Sequence, residues 1–168
     1  MSRSAIGVAL LLVTAACGSE EVRPIPTLDG VDPVTFGMTQ SFAYRALDAR
    51  RMTHDTAGPG CSYMTAQMGG KAFRFMFNNG SVVRVDVTDS TVASQTGARI
   101  GLTEDSVQTL YGRALRVLPH KYTQGGHYLI YVEPSDSLRR MVFETDGRRV
   151  TMWRTGVFPY VEYVEGCS

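Results

Sequence analysis

The chain has 168 residues, of which 43% are hydrophobic and 20% are charged, and its formal net charge is +1. This composition predicts a packed globular domain. A near-neutral chain without a run of like charges lacks the basic surface that nucleic-acid phosphates require, so we expect no nucleic-acid partner.

Residues 1–16 have the pattern of an export signal. Arg3 precedes a mostly apolar run that ends at Ala16, and this run is too short for a bilayer, which needs about 20 apolar residues. The stretch Leu12-Val13-Thr14-Ala15-Ala16-Cys17 resembles the lipobox of bacterial lipoproteins. In that family the cysteine is lipidated and becomes the new N-terminus. Leucine usually stands where this chain has Thr14, so ordinary signal cleavage after Ala15 or Ala16 is the alternative.

The lipobox resemblance implies a location as well as an anchor. Lipid on Cys17 makes the membrane a partner. Gly18 follows Cys17 where some lipoproteins carry an aspartate that keeps them from the outer membrane. By resemblance, Gly18 therefore implies that the protein lies at the outer membrane of a two-membrane bacterium and faces the periplasm. Residues 17–33 are expected to form a tether, because the stretch from Ser19 to Pro26 has two prolines, two glutamates and little to bury.

Two further cysteines remain after lipidation. Cys61 and Cys167 form an even pair in an oxidising compartment, which predicts a structural disulfide. The competing interpretation makes Cys61 a nucleophile with His54, His120 or His127 as its base. No family signature surrounds Cys61, so the disulfide is favoured.

The first half of the globular region predicts one helix and several strands. Apolar residues recur at helical spacing from Thr39 to Arg50, and the stretch from Thr53 to Gly60 is composed like a loop. A strand is predicted to start at Cys61. The alternation over 71–78 and 83–87 around Asn79-Gly80 then indicates a hairpin with a tight type I′ turn.

The second half repeats this order. Thr103 caps a helix that ends at Gly112, with Glu104 and Asp105 complementing the positive end of its dipole. Strands are predicted for the ranges 128–132, 139–144, 150–155 and 160–167, with a turn at Asp146-Gly147.

These elements predict an α+β fold with a single globular domain over residues 34–168. Two tandem repeats, about 34–90 and 98–160, would each consist of a helix and an antiparallel meander, and a C-terminal strand would follow. The helices would pack on one face of the sheet.

A family resemblance follows from the two helix starts. Gly37-Met38-Thr39 and Gly101-Leu102-Thr103 each open a short helix that leads to meandering strands in an exported protein. This arrangement resembles the repeat of the SmpA/OmlA (BamE) outer-membrane assembly lipoproteins and of the β-lactamase inhibitor proteins. The chain lacks the Leu-Gly-x-Pro that often closes the first helix there. The resemblance implies a protein-binding or scaffolding module without a cofactor, whose partner is an unknown envelope protein.

A candidate binding surface lies in the aromatic C-terminal half. If Val150 and Met152 face inward, strand alternation sends Trp153 to the opposite face of the sheet. Trp, Tyr and Arg dominate binding hot spots. The predicted surface comprises six residues: Tyr122, His120, His127, Tyr128, Trp153 and Arg154. The alternative is that this face is a second buried layer.

No catalytic or metal signature accompanies this surface. His120 and His127 have no third ligand at recognisable spacing, so a metal site would require Glu144 or Asp146 to fold near them, and no Gly-x-Ser-x-Gly elbow is present. We therefore predict a non-catalytic, membrane-anchored envelope lipoprotein with no metal and no cofactor. The alternatives are a module that binds a polysaccharide by stacking Trp153 and tyrosines on sugar rings and, less favoured, a hydrolase.

Replacement of the lipidated cysteine tests the anchor. Cys17→Ser removes the acylated thiol, so the exported protein should leave the detergent-soluble membrane fraction and appear with the soluble proteins. Fractionation followed by immunoblotting measures this distribution. Unchanged membrane association of the Cys17→Ser protein would refute lipid anchoring.

Overall fold

The computed structural model describes residues 24–47 and 52–167 of the chain. The predicted signal peptide and the lipidation site Cys17 lie outside these ranges. Within them, no helix is both long enough and apolar enough to cross a membrane.

One large antiparallel sheet dominates the molecule. Two short strands, β1 (Gly30–Val31) and β2 (Val34–Thr35), form a separate ribbon. The sheet contains the eight strands β3 (Met52–Gly58), β4 (Cys61–Met68), β5 (Lys71–Asn78), β6 (Ser81–Val87), β7 (Leu115–Pro119), β8 (His127–Val132), β9 (Arg139–Thr145) and β10 (Val150–Val157). Their spatial order is β3-β4-β5-β6-β10-β9-β8-β7, so β6 and β10 lie side by side at the centre.

Two short α-helices precede the two runs of strands. They are α1 (Gln40–Ala46) and α2 (Glu104–Tyr111), and short 3-10 helices follow at Gly112–Ala114 and Tyr160–Glu162. The predicted cap of α2 is confirmed, because the Thr103 side chain accepts a hydrogen bond from the backbone N–H of Ser106. Gly112 ends α2 with a φ of 57°, a value that favours glycine.

The predicted hairpin between β5 and β6 is also confirmed. Asn79 and Gly80 have φ angles of 47° and 76°, and a two-residue type I′ turn requires positive φ at both positions. The Asn-Gly pair therefore aligns Asn78 with Ser81 and starts the ladder between the two strands.

The predicted α+β fold class is wrong. The α-helices have only seven and eight residues, and the eight strands form one continuous sheet instead of two separate helix-plus-meander repeats. Helices of two turns are too short to cover a sheet of this width. The chain is a mainly β protein in which α1 and α2 cover only part of one face.

Three local predictions also need correction, because strand pairing between distant residues overrides composition. The predicted loop over 53–60 is largely β3, which pairs with β4 from Met52↔Ala66 to Thr56↔Ser62. The strand β7 has no counterpart among the predicted elements. The predicted C-terminal strand is a 3-10 helix followed by irregular backbone, because the apolar residues of this segment pack on a face of the sheet instead of pairing at one of its edges.

The main hydrophobic core lies on the face of the sheet that carries the helices. Alternate residues of neighbouring strands build it, including the aromatic set Phe73, Phe75, Phe77, Phe143 and Trp153. The Phe143 and Trp153 rings stack with centroids 5.7 Å apart. Alternation along β5 thus places every second side chain of that strand in this core.

Part of the predicted tether belongs to the folded domain. Val31, in β1, is fully buried in the main core. Thr155 from the central strand β10 donates a hydrogen bond from its hydroxyl to the carbonyl of Thr27, at 2.8 Å. The segment from Thr27 to Val31 is therefore packed against the sheet.

The opposite face of the sheet is covered by the C-terminal segment, residues 158–167. Val161 and Val164 pack on one cluster, with Tyr128, Ile130 and Val142. Tyr160 and Cys167 pack on a second, with Tyr63, Met76 and Val83. The alternating apolar residues of the segment therefore pack against the sheet without joining it.

The predicted disulfide between Cys61 and Cys167 is present. The two Cα atoms are 5.5 Å apart, and the bond joins positions separated by 106 residues. It links the start of β4 to the end of the C-terminal segment. Closing so long a loop removes denatured-state entropy worth about 4 to 5 kcal/mol in the chain-entropy model, although about 2 to 4 kcal/mol is typical in practice.

Loss of this disulfide should lower the stability of the folded protein. The double variant Cys61→Ala/Cys167→Ala should unfold with a melting temperature several degrees lower, for a loss of about 2 to 4 kcal/mol. Thermal unfolding followed by circular dichroism measures the difference. As a control, a reductant should shift the unaltered protein to the same temperature and leave the double variant unchanged. Equal melting temperatures for the oxidised protein and the double variant would contradict this role.

Candidate functional site

The structure buries three of the six residues of the predicted binding surface. Trp153 is 0% exposed, Arg154 is 1% exposed, and Tyr128 is also buried. The prediction for Trp153 failed because β10 has a bulge at Thr151, between the pairs Val150↔Thr145 and Met152↔Glu144. One extra residue shifts the alternation, so Val150 and Trp153 share the main core. An open surface around Trp153 is therefore ruled out.

Arg154 belongs to a network of buried charges beneath the C-terminal segment. Its Nη1 donates to the carboxylate of Glu144 on the neighbouring strand β9. Its Nε donates to the carbonyl oxygen of Val161 at 2.6 Å. Burial lowers the pKa of Arg154, and the positive charge of nearby Arg84 lowers it further. The Glu144 carboxylate acts in the other direction and favours the charged guanidinium.

Arg84 on β6 forms the second half of this network. Its Nε donates to Asp86 Oδ1 at 2.6 Å, and both side chains are about 5% exposed. Its Nη1 donates to the carbonyl oxygens of Tyr163, at 2.6 Å, and Tyr160, at 3.4 Å. Together with Arg154, this side chain satisfies three backbone carbonyls of the C-terminal segment.

His120 has a structural role at the edge of the same network. Its Nδ1 accepts hydrogen bonds from the backbone N–H groups of Tyr122, at 3.1 Å, and Thr123, at 3.0 Å. The proton of the neutral ring therefore lies on Nε2, which is 3.3 Å from Glu144 Oε2. The ring also stacks on Tyr128, with centroids 4.4 Å apart. These contacts hold the loop between β7 and β8.

His127 lies in a different environment. Its Nδ1 is 2.9 Å from Glu104 Oε1, and the Thr145 hydroxyl donates to the same carboxylate. These contacts attach the first turn of α2 to the sheet. Adjacent residues of β8 point to opposite faces, so His127 is on the other side of the sheet from His120, which stacks on Tyr128. The two histidines do not form one site.

The remaining candidate residues also form no reactive group. Tyr122 is exposed and donates its hydroxyl proton to Glu165. Cys61 is oxidised in the disulfide, and His54 is hydrogen-bonded to the hydroxyl of Tyr44. Within residues 24–47 and 52–167, no three His, Cys, Asp or Glu side chains group as metal ligands. Nothing in this part of the chain is positive evidence for catalysis.

The structure reveals a different candidate site at the β7 edge of the sheet. Within the described ranges β7 pairs only with β8, so its other side carries unpaired backbone groups. Val117 and Leu118 are 49% and 39% exposed. We define the β7 edge surface as the outer backbone of β7 with the side chains of Arg116, Val117 and Leu118.

The β7 edge surface is apolar on both faces of the sheet. Val117 pairs with Leu129, a residue of the main core, whereas Leu118 pairs with Tyr128 on the opposite face. The main core therefore covers only Leu115 at the start of β7, and both covering layers stop short of Val117 and Leu118. The sequence does contain a signal for this strand: Leu115, Val117 and Leu118 lie around Arg116, between the helix stop at Gly112 and Pro119.

Comparison with known proteins shows a shared fold and no family. No protein-family model and no curated protein matches the chain. The uncharacterised protein YfeY from Escherichia coli has a similar structure, with a TM-score of 0.50 and 14% identity, over 79% of this chain and 99% of that one. An extracellular protein containing an SCP domain, from Bacillus anthracis, gives a TM-score of 0.48 at 10% identity. That match covers 73% of this chain and 44% of the Bacillus protein, so the chain spans less than half of its length.

Removal of the buried Arg154 charge should be strongly destabilising. Arg154→Met leaves the Glu144 carboxylate without its cation and the Val161 carbonyl without its donor, which should cost about 3 to 5 kcal/mol. Arg45→Met is the matched control, because Arg45 is exposed on α1, and it should change stability by less than about 0.5 kcal/mol. Urea unfolding measures both values. A loss below about 1 kcal/mol for Arg154→Met would show that the network does not hold the C-terminal segment.

Proposed function

We propose that the protein is a lipid-anchored, non-catalytic protein of the cell envelope that binds another envelope protein through the β7 edge surface. The observation that carries this proposal is an edge strand with exposed aliphatic side chains on both of its faces. Such an edge accepts an extended peptide by strand addition, in which backbone hydrogen bonds supply affinity and side-chain contacts supply specificity.

The opposite edge of the sheet is less suitable for strand addition. On β3, His54 is held by Tyr44, and Asp55 lies 3.7 Å from Arg74 of β5. Charged and polar side chains of this kind protect an edge strand against pairing with other chains. The two edges therefore differ, and the apolar one is β7.

The dimensions of β7 limit what it binds. The strand has five residues, and Pro119 at its end has no N–H to donate. The N–H of Leu115 at its start is bonded to the carbonyl of Gly112, so an added strand would pair over about three residues, 116–118. Arg116 is exposed beside the two aliphatic side chains, which favours a partner segment that combines apolar residues with a carboxylate.

The location in the envelope rests on the sequence and agrees with the disulfide. The signal and lipobox pattern before Cys17 predict export and anchoring, and a Cys61–Cys167 bond persists in oxidising compartments. The resemblance to the outer-membrane assembly lipoproteins stays a prediction. Carbohydrate binding, the alternative prediction, relied on stacking by Trp153 and tyrosines, and the burial of Trp153 leaves it with the tyrosines alone.

Site-specific photocrosslinking in intact envelopes tests the β7 edge surface. A photoreactive phenylalanine derivative in place of Val117 or of Leu118 should give the same discrete adduct, because the two side chains flank one bound strand. The matched control is the same replacement at Phe42, which is 59% exposed on α1 and should give no such adduct. Electrophoresis with and without protease digestion identifies the class of the partner.

A charged substitution within the β7 edge surface provides a second test of the proposal. Val117→Lys should weaken the adduct formed from position 118 by about tenfold or more, because it places an ammonium group in the apolar contact. Phe42→Lys should leave that adduct unchanged. Adducts of equal yield from position 42, or adducts that resist protease and are digested by polysaccharide-degrading enzymes, would refute protein binding at β7.

A further inference from the structure

A cleft unrelated to the β7 edge surface opens where the end of α2 meets β8 and β9. It encloses about 390 Å³, within the range of small-molecule sites. Its walls include Leu28 from the N-terminal segment, Leu110 and Tyr111 from α2, Tyr131 from β8, Met141 from β9, and Glu133 just after β8.

The body of the cleft is apolar and aromatic. The Tyr111 and Tyr131 rings pack together with centroids 4.6 Å apart, and Met141 is buried beside them. Leu110 is an exposed aliphatic residue at the same place. These groups offer a ligand an apolar contact surface with two adjacent aromatic rings.

The tyrosine hydroxyls are already hydrogen-bonded within the protein. Tyr111 accepts from the Thr96 hydroxyl at 2.8 Å and donates to the Met141 sulfur at 3.4 Å. Tyr131 donates to Glu133 Oε2 at 2.8 Å. Neither hydroxyl is therefore free to donate to a ligand such as a sugar, and what the two residues offer the cleft is the part of each ring that lines it.

Glu133 gives the cleft its charge. It is the only charged residue among the described residues of the lining, and its carboxylate accepts hydrogen bonds from the Tyr131 hydroxyl and from the hydroxyl and backbone N–H of Ser135. The bond from Tyr131, followed by those from Ser135, lowers the pKa of Glu133. Burial and the same carboxylate raise the pKa of Tyr131 to about 12. At neutral pH the lining therefore carries one negative charge and no positive charge.

We propose that this cleft binds an organic cation with an apolar body. The ammonium group lies against Glu133 and the electron-rich faces of the tyrosine rings, and the apolar body fills the space beside Leu110 and Met141. Aromatic rings attract cations within about 6 Å of the ring centroid, and a partly desolvated carboxylate adds to that attraction. The described residues of the lining include no Arg or Lys, and Arg139, which donates to the Leu28 carbonyl, is paired with Asp29 and Asp136, so the lining favours a cation over an anion.

Three probes with the same apolar body test this proposal: 4-phenylbutylamine, 4-phenylbutanol and 4-phenylbutyrate. Titration calorimetry should show that the ammonium binds, that the alcohol binds at least about tenfold more weakly, and that the carboxylate does not bind. Chemical shifts of Tyr111, Tyr131 and Met141 in a nuclear magnetic resonance titration should report the location. Equal affinities for the ammonium and the alcohol would overturn charge recognition.

Two variants and one control variant test whether the measured affinities depend on the cleft. Glu133→Gln should reduce the affinity for the ammonium to that of the alcohol and leave the alcohol unchanged. Asp136→Asn, a neighbouring exposed carboxylate outside the lining, should leave both affinities unchanged. Ala114→Leu should weaken both ligands, because Ala114 lines the cleft and the larger side chain occupies it. Binding of the ammonium that survives both Glu133→Gln and Ala114→Leu, in proteins with unchanged melting temperatures, would refute the site.

Discussion

The arrangement of this protein depends on two buried guanidinium groups that hold the C-terminal segment on the sheet. Arg84 and Arg154 lie on the central strands β6 and β10, and they donate to three carbonyl oxygens of a segment that has no strand partner. Backbone carbonyls buried without donors are costly, and so are buried cations without acceptors. The guanidinium groups and the carbonyls therefore offset each other's cost of burial. Asp86 and Glu144 complete the compensation by supplying the negative charges.

This network explains why the face opposite the helices is closed. The apolar residues Val161 and Val164 pack on one side of the arginines, and the disulfide at Cys167 fixes the end of the segment on the other. Residues with the chemistry of a binding hot spot are therefore buried inside the domain, Arg154 beneath the C-terminal segment and Trp153 in the main core on the other face. What remains available for partners lies where the two covering layers end, at the β7 edge and in the cleft beside α2.

The two proposed sites use different physical properties of the fold. The β7 edge surface offers backbone groups and aliphatic side chains to an extended chain, so its partner is a macromolecule. The cleft instead offers a confined volume with one carboxylate and two tyrosine rings, so its ligand is small and cationic. Neither site shares a residue with the other. A ligand in the cleft contacts Tyr131, however, and Tyr131 pairs with Leu115 of β7, so the two sites are connected through one strand pair.

The sequence by itself determined the features that depend on a few neighbouring residues. Thr103 caps α2, Asn79-Gly80 turns the hairpin, and the only two cysteines after residue 17 form the disulfide, because each signal acts locally or has no alternative. Tertiary structure decided the rest. Whether the tail pairs at an edge or packs on a face of the sheet depends on the buried arginines that it meets there, and the orientation of Trp153 depends on a bulge at Thr151 that only pairing with β9 defines. The β7 edge surface and the tyrosine cleft, too, bring together residues whose proximity arises from packing between distant segments, which spacing along the chain does not encode.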